Sequence, residues 1–390
     1  MKNSETMTDA VECFRNWDQV RVWEGAWNAA AGSNFMLRTE WLESWWEAYQ
    51  QRSDRLAIAS FPIGPNSERG FLPGFITRGM LGRTFRWLGS GVACSDDMRL
   101  LGSATEQSGW GKLAAGWLSS EKFRAEYGRL DAIELEGYLG DEGSVRELTR
   151  GLQAAGWSLE ERPIGGAWRV RLPATPEDYV NLLHKSRRRK VNKAKRLLNE
   201  GKVRFEAIWE WSRIDELWSE FVRLHQKRRE ALGQSGCFSD PRFGIFLRHA
   251  TERMAQNQQC WMGTLWAGEE PIGINLNFQS GDSTGMYQSG METDRTELEP
   301  GHLLNYCSIG TAIERGVEWF DFLRGDEPYK EGWGAERRVL YRSRLFAPHL
   351  LARVRQSALA AGRELRNWSS GWFGSAGPAI PGASCETAAE

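Results

Sequence analysis

The chain has 390 residues, more than one hydrophobic core usually supports, so two domains of similar length are expected. Its 50 Lys and Arg against 51 Asp and Glu exclude a general attraction to nucleic acid or anionic lipid and confine any basic patch to one locality. The six cysteines are scattered, with no C-x-x-C pair and no His at zinc-ligand spacing, so neither a structural metal nor a disulfide framework is expected.

The opening residues, M-K-N-S-E-T-M-T-D, lack the apolar core of a signal peptide, and no stretch reaches the length of a membrane helix. A cytoplasmic location with reduced thiols is the expectation. Helices are predicted near 17–31 and 40–49, followed by strands at 56–61, 70–77 and 85–89 separated by glycine turns. Trp41 and Trp45 in W-L-E-S-W-W are four apart on one helical face, which favours core packing over a ligand cage. A helix over 109–127, a strand over 130–135, a helix over 145–155 and a strand over 168–172 complete this half. P-A-T-P at 173–176 then marks a linker into a capped helix with Glu177 and Asp178 in its first turn.

The second half repeats the order: a helix running to about 199, another over 214–231, and strands at 203–208, 261–266, 271–279 and 285–289. The run Lys185 to Arg204 carries ten Lys or Arg against one Glu, which suits nucleic acid or a membrane surface. Val191, Ala194, Leu197 and Leu198 nevertheless give it an apolar stripe, so a docked helix with a solvated charged face is favoured. G-K-L-A-A-G-W-L with R-L-D-A-I-E-L-E-G in the first half parallels G-H-L-L-N-Y-C-S with V-E-W-F-D-F-L-R-G in the second, as if one unit were used twice. The expected division is 1–172, a structural domain; 173–346, the domain with the chemistry; 347–370, a helix; and 371–390, a disordered tail rich in Gly, Ala, Ser and Pro. The fold class read from this order is mixed α/β.

The segment E-P-G-H-L-L is the most informative. Pro300 suits the first helical turn and Gly301 allows close approach to the backbone, so the amides of Gly301, His302, Leu303 and Leu304 are expected to face a phosphate or carboxylate. A plain helix cap is the other reading. Cys307 falls on the buried side of this helix and reads as packing. The strand over 317–323 encloses Asp321, which needs a partner. Arg324, Asp326, Glu327, Tyr329 and Lys330 cluster after it, either as a polar site or as a solvated loop.

The succession from L-H-K-S-R-R-R-K-V-N-K-A-K-R through F-V-R-L-H-Q-K-R-R and E-P-G-H-L-L to W-F-D-F-L-R-G-D-E-P-Y-K resembles the CelD-type acetyltransferases of cellulose biosynthesis. Those proteins are tandem GNAT-like (acyl-CoA N-acyltransferase) domains, similar in plan to the Fem aminoacyl transferases. The resemblance covers about 179–345, with a single glycine, Gly301, where ordinary GNAT phosphate loops have two. It implies transfer of an acetyl or other acyl group from acyl-CoA to a small-molecule or sugar amine of a cell-envelope or exopolysaccharide precursor, without metal and without DNA. The cofactor would lie against Gly301, His302, Leu303 and Leu304 and along the strand bearing Tyr287 and Gln288. Glu327 or Asp326 would take the proton of the attacking ammonium, Tyr329 would protonate the leaving thiolate, and Lys330 would neutralise an anionic group of the acceptor. His225, Arg324 and Asp321 would line the substrate side; a surface position for His225 and a structural hydrogen bond for Asp321 are the alternatives. Two rival functions remain: a Fem-like transferase, under which alone tRNA is a partner, and a non-catalytic scaffold in polysaccharide assembly.

Overall fold

The computed structural model describes residues 11–63, 68–102 and 109–372, which fall into two compact units. The first comprises the described residues up to Ala31, Gln50–Ile164 and those from Leu340 onward; the second comprises Gly32–Tyr49 and Gly165–Val339. The chain crosses between them after Ala31, after Tyr49, and within the strands Ser158–Arg171 and Glu336–Phe346. The C-terminal helix is present as Leu350–Trp372, and the tail expected to be disordered lies, from 373 on, outside the described residues. Among the described residues no helix is long and apolar enough to cross a membrane.

In the first unit the strands Arg55–Leu56, Gly74–Gly79, Gly82–Trp87, Ala132–Leu139 and Leu340–Phe346 lie side by side in that order. Glu134, buried within Ala132–Leu139, contacts Arg344 at 2.6 Å and Arg86 at 3.3 Å. Burial opposes its charge, but the two guanidinium groups outweigh burial and hold the carboxyl below its usual range. The helix predicted over 109–127 is two helices, Trp110–Ser119 and Glu121–Tyr127. Ser120 ends the first and caps the second, its hydroxyl accepting from the Phe123 amide at 3.1 Å.

The second unit holds, in chain order, α1 (Lys185–Asn199), β1 (Arg204–Ile208), α2 (Trp211–Ala231), α3 (Pro241–Ala255), β2 (Cys260–Ala267), β3 (Glu270–Ser280), β4 (Ser283–Met291), α4 (Pro300–Glu314) and β5 (Trp319–Arg324). Its sheet runs from the end of Ser158–Arg171 through β5, β4, β3 and β2 to β1, with β4 and β5 parallel and the other pairs antiparallel. The strands β3 and β4 are buried along nearly their whole length because helices cover both faces. On one face α2 lies so close to β4 that a Cβ on Gly290 would sit 2.5 Å from the His225 backbone nitrogen, so glycine is required there. On the other face Leu303 and Leu304 of α4 pack with Leu265 and Ile272.

Trp41 and Trp45 are core residues, as their spacing predicts; the Trp41 ring meets Phe246 at 4.8 Å and Tyr287 at 4.9 Å. Helix α3 and the strand Glu336–Phe346 are absent from the sequence-based expectation. The start signal of α3 was present in Asp240-Pro241, with Asp240 accepting from the Arg242 amide at 3.0 Å. The strand was hidden because its apolar pattern is broken by Arg337, Arg338, Arg342 and Arg344, and pairs such as Arg338 with Asp321 at 2.9 Å supply what the pattern lacks.

One irregularity in the second unit opens its sheet. The strands β4 and β5 pair only through Ser283–Gly285 with Trp319–Asp321 and then part. Leu323, at φ 58°, turns the chain of β5, and its amide is held by the Asp321 carboxylate at 2.7 Å.

Candidate functional site

Two parallel strands that part leave a crevice at their carboxyl ends, where ligands of open α/β sheets commonly bind. Here a cleft of about 480 Å³ opens within the second unit. The start of α4 (Glu299 to His302), the end of β4 (Met291 and the following Glu292 and Thr293), the last turn of α2 (Arg228, Ala231 and Leu232), Lys190 of α1, and Glu327 and Pro328 after β5 form its walls.

At the start of α4, Glu299 has a left-handed backbone, φ 51°, and its carbonyl accepts from the amides of His302 at 3.0 Å and Leu303 at 3.2 Å. Of the four amides expected to face an anion, therefore, those of His302 and Leu303 are bonded to Glu299, and Leu304, the next residue, falls within the helix's own ladder. Leu303 and Leu304 also bury their side chains in the core, at 1% and 0% exposure, so with their amides engaged they do not present the open donors expected of them. Gly301 lines the cleft and its amide has no hydrogen-bond partner among the described residues. The Glu299 carboxylate, which alone would repel an anion, is neutralised by Lys190 and Lys193, each at 3.1 Å.

The basic helix is not simply solvated. Of its apolar stripe Val191, Ala194 and Leu197 are buried and Leu198 is partly so, and Arg188 and Arg189 are exposed, but Arg187 is half-buried, 4.9 Å over the Trp333 ring and 2.7 Å from His302 Nδ1. Lys190 reaches His302 Nε2 at 2.8 Å. A neutral imidazole offers one lone pair, so only one of these cations can be hydrogen-bonded to the ring at a time. Burial, then Arg187 and Lys190, push His302 down to about 4, so it is neutral at physiological pH.

Glu327 lies in the cleft wall at 8% exposure, its carboxylate 2.9 Å from the Lys330 ammonium. Lys330 is fully buried and donates to the carbonyls of Leu323, Arg324 and Gly325 at 3.1, 3.0 and 3.0 Å. All its donors are engaged inside the chain, which corrects the expected contact to an acceptor: it ties the turn after β5 together and holds Glu327. Asp326 is turned out and bonded to Arg337 at 2.6 and 2.9 Å and to the Trp168 indole at 3.3 Å. The Arg337 hydrogen bonds hold its carboxyl below the usual range, and it does not line the cleft. Asp321 has its structural hydrogen bond and Arg338, and Arg324 contributes a backbone carbonyl; neither side chain is in the cleft wall. Tyr329 is buried behind the wall, edge-on to Phe322.

His225 is buried, at 1% exposure, rather than on the surface, with Nε2 3.0 Å from Gln288 Oε1. Tyr287 belongs to the aromatic core around Trp41, and Gln288 faces His225, so neither forms the cleft wall assigned to them. Burial, then Arg229, push His225 down to about 4. Its folded pKa is below its unfolded value, so the neutral form stabilises the fold above about pH 6.5, and that contribution is lost as pH falls towards 4. Urea unfolding of wild type and His225→Asn at pH 7.5 and 4.5 should show a smaller acid loss in the variant; equal losses would rule out His225 as a source.

Burial also pushes the Cys307 thiol up to about 12, consistent with packing. Among the described residues no group of acidic, His and Cys side chains could hold a metal ion. Sequence reasoning missed Lys190, Glu299, Glu292 and Arg228 as cleft residues. Arg228 was detectable, because it continues the buried Phe221, Leu224 stripe of α2 at helical spacing.

Residues 185–331 match the family model of the acetyltransferase (GNAT) domain. No curated protein matches the chain. Among solved structures, FemX superposes with a TM-score of 0.61 at 12% identity, over 85% of this chain and 96% of that one. A conserved protein of unknown function from Bacteroides thetaiotaomicron gives 0.54 at 12% identity, over 86% of this chain and 100% of that one. These likenesses concern the fold. Residues 185–331 of the second unit are thus similar to an acetyltransferase (GNAT) domain, its fold is mixed α/β, and the residues lining the cleft fall within that stretch.

Proposed function

We propose that the protein is an N-acyltransferase that moves an acetyl or other acyl group from acyl-CoA to an amine, with the resemblance to CelD-type enzymes favouring a sugar or cell-envelope precursor as acceptor. One observation carries this reading. A single cleft, at the parting of two parallel strands, holds both an anion-ready helix start and a carboxylate. Lys190 and the Gly301 amide fit the diphosphate of an acyl-CoA co-substrate, and Glu327 fits the proton acceptor. The amine nitrogen forms its bond to the thioester carbonyl carbon, the carbon–sulfur bond breaks, Glu327 takes the proton from nitrogen, and coenzyme A leaves as thiol or thiolate. Positioning of both reactants supplies the rest, and no covalent enzyme intermediate is needed.

Calorimetric titration with acetyl-CoA tests the reading. Binding to wild type is expected, with affinity lowered at least about tenfold in Gly301→Val, whose added methyl groups occupy the approach to the amide. Because Gly301 is buried, circular dichroism must accompany the titration. Wild type that ignores acetyl-CoA but binds aminoacyl-tRNA, with affinity lost when the exposed Arg188 and Arg189 become Ala, would replace this reading with the Fem-like one. Silence towards both would favour the scaffold.

A further inference from the structure

The cations around the cleft are almost all engaged. Lys190 holds Glu299 and His302, Lys330 holds Glu327 and three carbonyls, and Arg223 and Lys227 both hold Glu292. Arg229 donates to Gln234 at 2.8 Å. Arg228 differs: it is 9% exposed, it lines the cleft, and among the described residues its guanidinium has neither a hydrogen bond nor an ion pair. Burial, opposed mainly by Tyr329, pulls its pKa down to about 10, so it remains cationic at neutral pH.

A buried cation without a bonded partner destabilises a fold, and a site that retains one gains from it only when a ligand supplies the anion. The placement narrows which ligand. At the α4 start Lys190 and Lys193 hold Glu299 and Arg187 lies against His302, whereas the Arg228 cation shares the cleft wall with Glu327. Arg228 and Glu327 thus line one cleft, and the carboxylate read as proton acceptor attracts the Arg228 cation. Its neighbours Ala231 and Leu232, with Pro328 across the cleft, offer carbon surface and no competing side-chain donors.

From this juxtaposition of Arg228 and Glu327 we infer that the acceptor is an amine that also carries an anionic group, a carboxylate or a phosphate, which the Arg228 fork binds while Glu327 meets the ammonium. The inference rests on the reading of Glu327 as proton acceptor. An amino acid and a phosphorylated amino sugar share this chemistry.

The test is calorimetry on the full chain with two matched pairs of probes: L-leucine against 3-methylbutylamine, and glucosamine 6-phosphate against glucosamine. Wild type should bind the anionic member of at least one pair about tenfold or more tighter than its counterpart, and the pair that discriminates identifies carboxylate or phosphate. Arg228→Met should abolish that preference, leave acetyl-CoA affinity unchanged, and unfold at the same or a higher temperature, since an uncompensated buried charge has been removed. Absence of preference in both pairs, an equal loss of acetyl-CoA affinity in Arg228→Met, or a clear fall in its unfolding temperature would each overturn the inference. Failure of the wild type to bind acetyl-CoA sinks the proposed function instead and leaves the anion preference readable.

Discussion

Replacing Glu327 by Gln is expected to lower kcat about 10²–10⁴-fold, the range that a positioned general base supplies. The variant isolates chemistry from structure. Gln keeps an oxygen that can accept from the Lys330 ammonium, 2.9 Å from the carboxylate in the native site, so the turn after β5 should remain formed. Acetyl-CoA affinity should also persist, because Gly301 and Lys190 belong to another wall of the cleft. The measurement is thiol release from acetyl-CoA with an amine acceptor, alongside calorimetry. A loss confined to kcat places Glu327 in the transition state. Unchanged turnover would remove Glu327 from the chemistry, and Asp326, already bonded to Arg337, could not take its place without breaking that pair.

The mixed α/β class and the start of α4 at Pro300 were legible in the sequence, since periodicity and the Pro-Gly pair are local signals, while the GNAT-like plan of the second half came from the family resemblance over about 179–345. Local signals fail where a residue's role is decided by distant chain. Lys330 reads as an exposed ligand because it sits in a charged turn, yet three carbonyls and Glu327 enclose it completely. Tyr287 reads as a wall residue from its place on the strand, but strand alternation has two faces, and the aromatic cluster around Trp41 claims this one. The amides of His302 and Leu303 were expected to be open because the sequence does not reveal that Glu299 adopts a left-handed backbone and turns its carbonyl onto them. Arg228 was passed over because it follows Lys227 and precedes Arg229 in a basic run. Its place after Phe221 and Leu224 in the buried stripe marked it, but the lie of α2 against β4 decides that this cation lines the cleft.

Lys330→Met is expected to destabilise the second unit by about 3–5 kcal/mol, the usual result of removing one member of a buried ion pair. The side chain has 0% exposure, so methionine can fill its volume, but it cannot donate. The Glu327 carboxylate and the carbonyls of Leu323, Arg324 and Gly325 would all lose the ammonium that bonds them. Those carbonyls belong to the segment where β5 turns away from β4, so this cation, together with the Asp321 carboxylate on the Leu323 amide, fastens the turn at which the strands part beside the cleft. Urea unfolding should therefore show a lower midpoint, and acetyl-CoA affinity should fall along with stability. Coupling gives the sharper check. In Lys330→Met combined with Glu327→Gln the carboxylate no longer needs a counter-charge, so the double variant should be less destabilised than the sum of the singles by about 1 kcal/mol or more. If Lys330→Met unfolds like the wild type and only the Michaelis constant for the acceptor rises, Lys330 reaches substrate after all and the turn is held by other contacts.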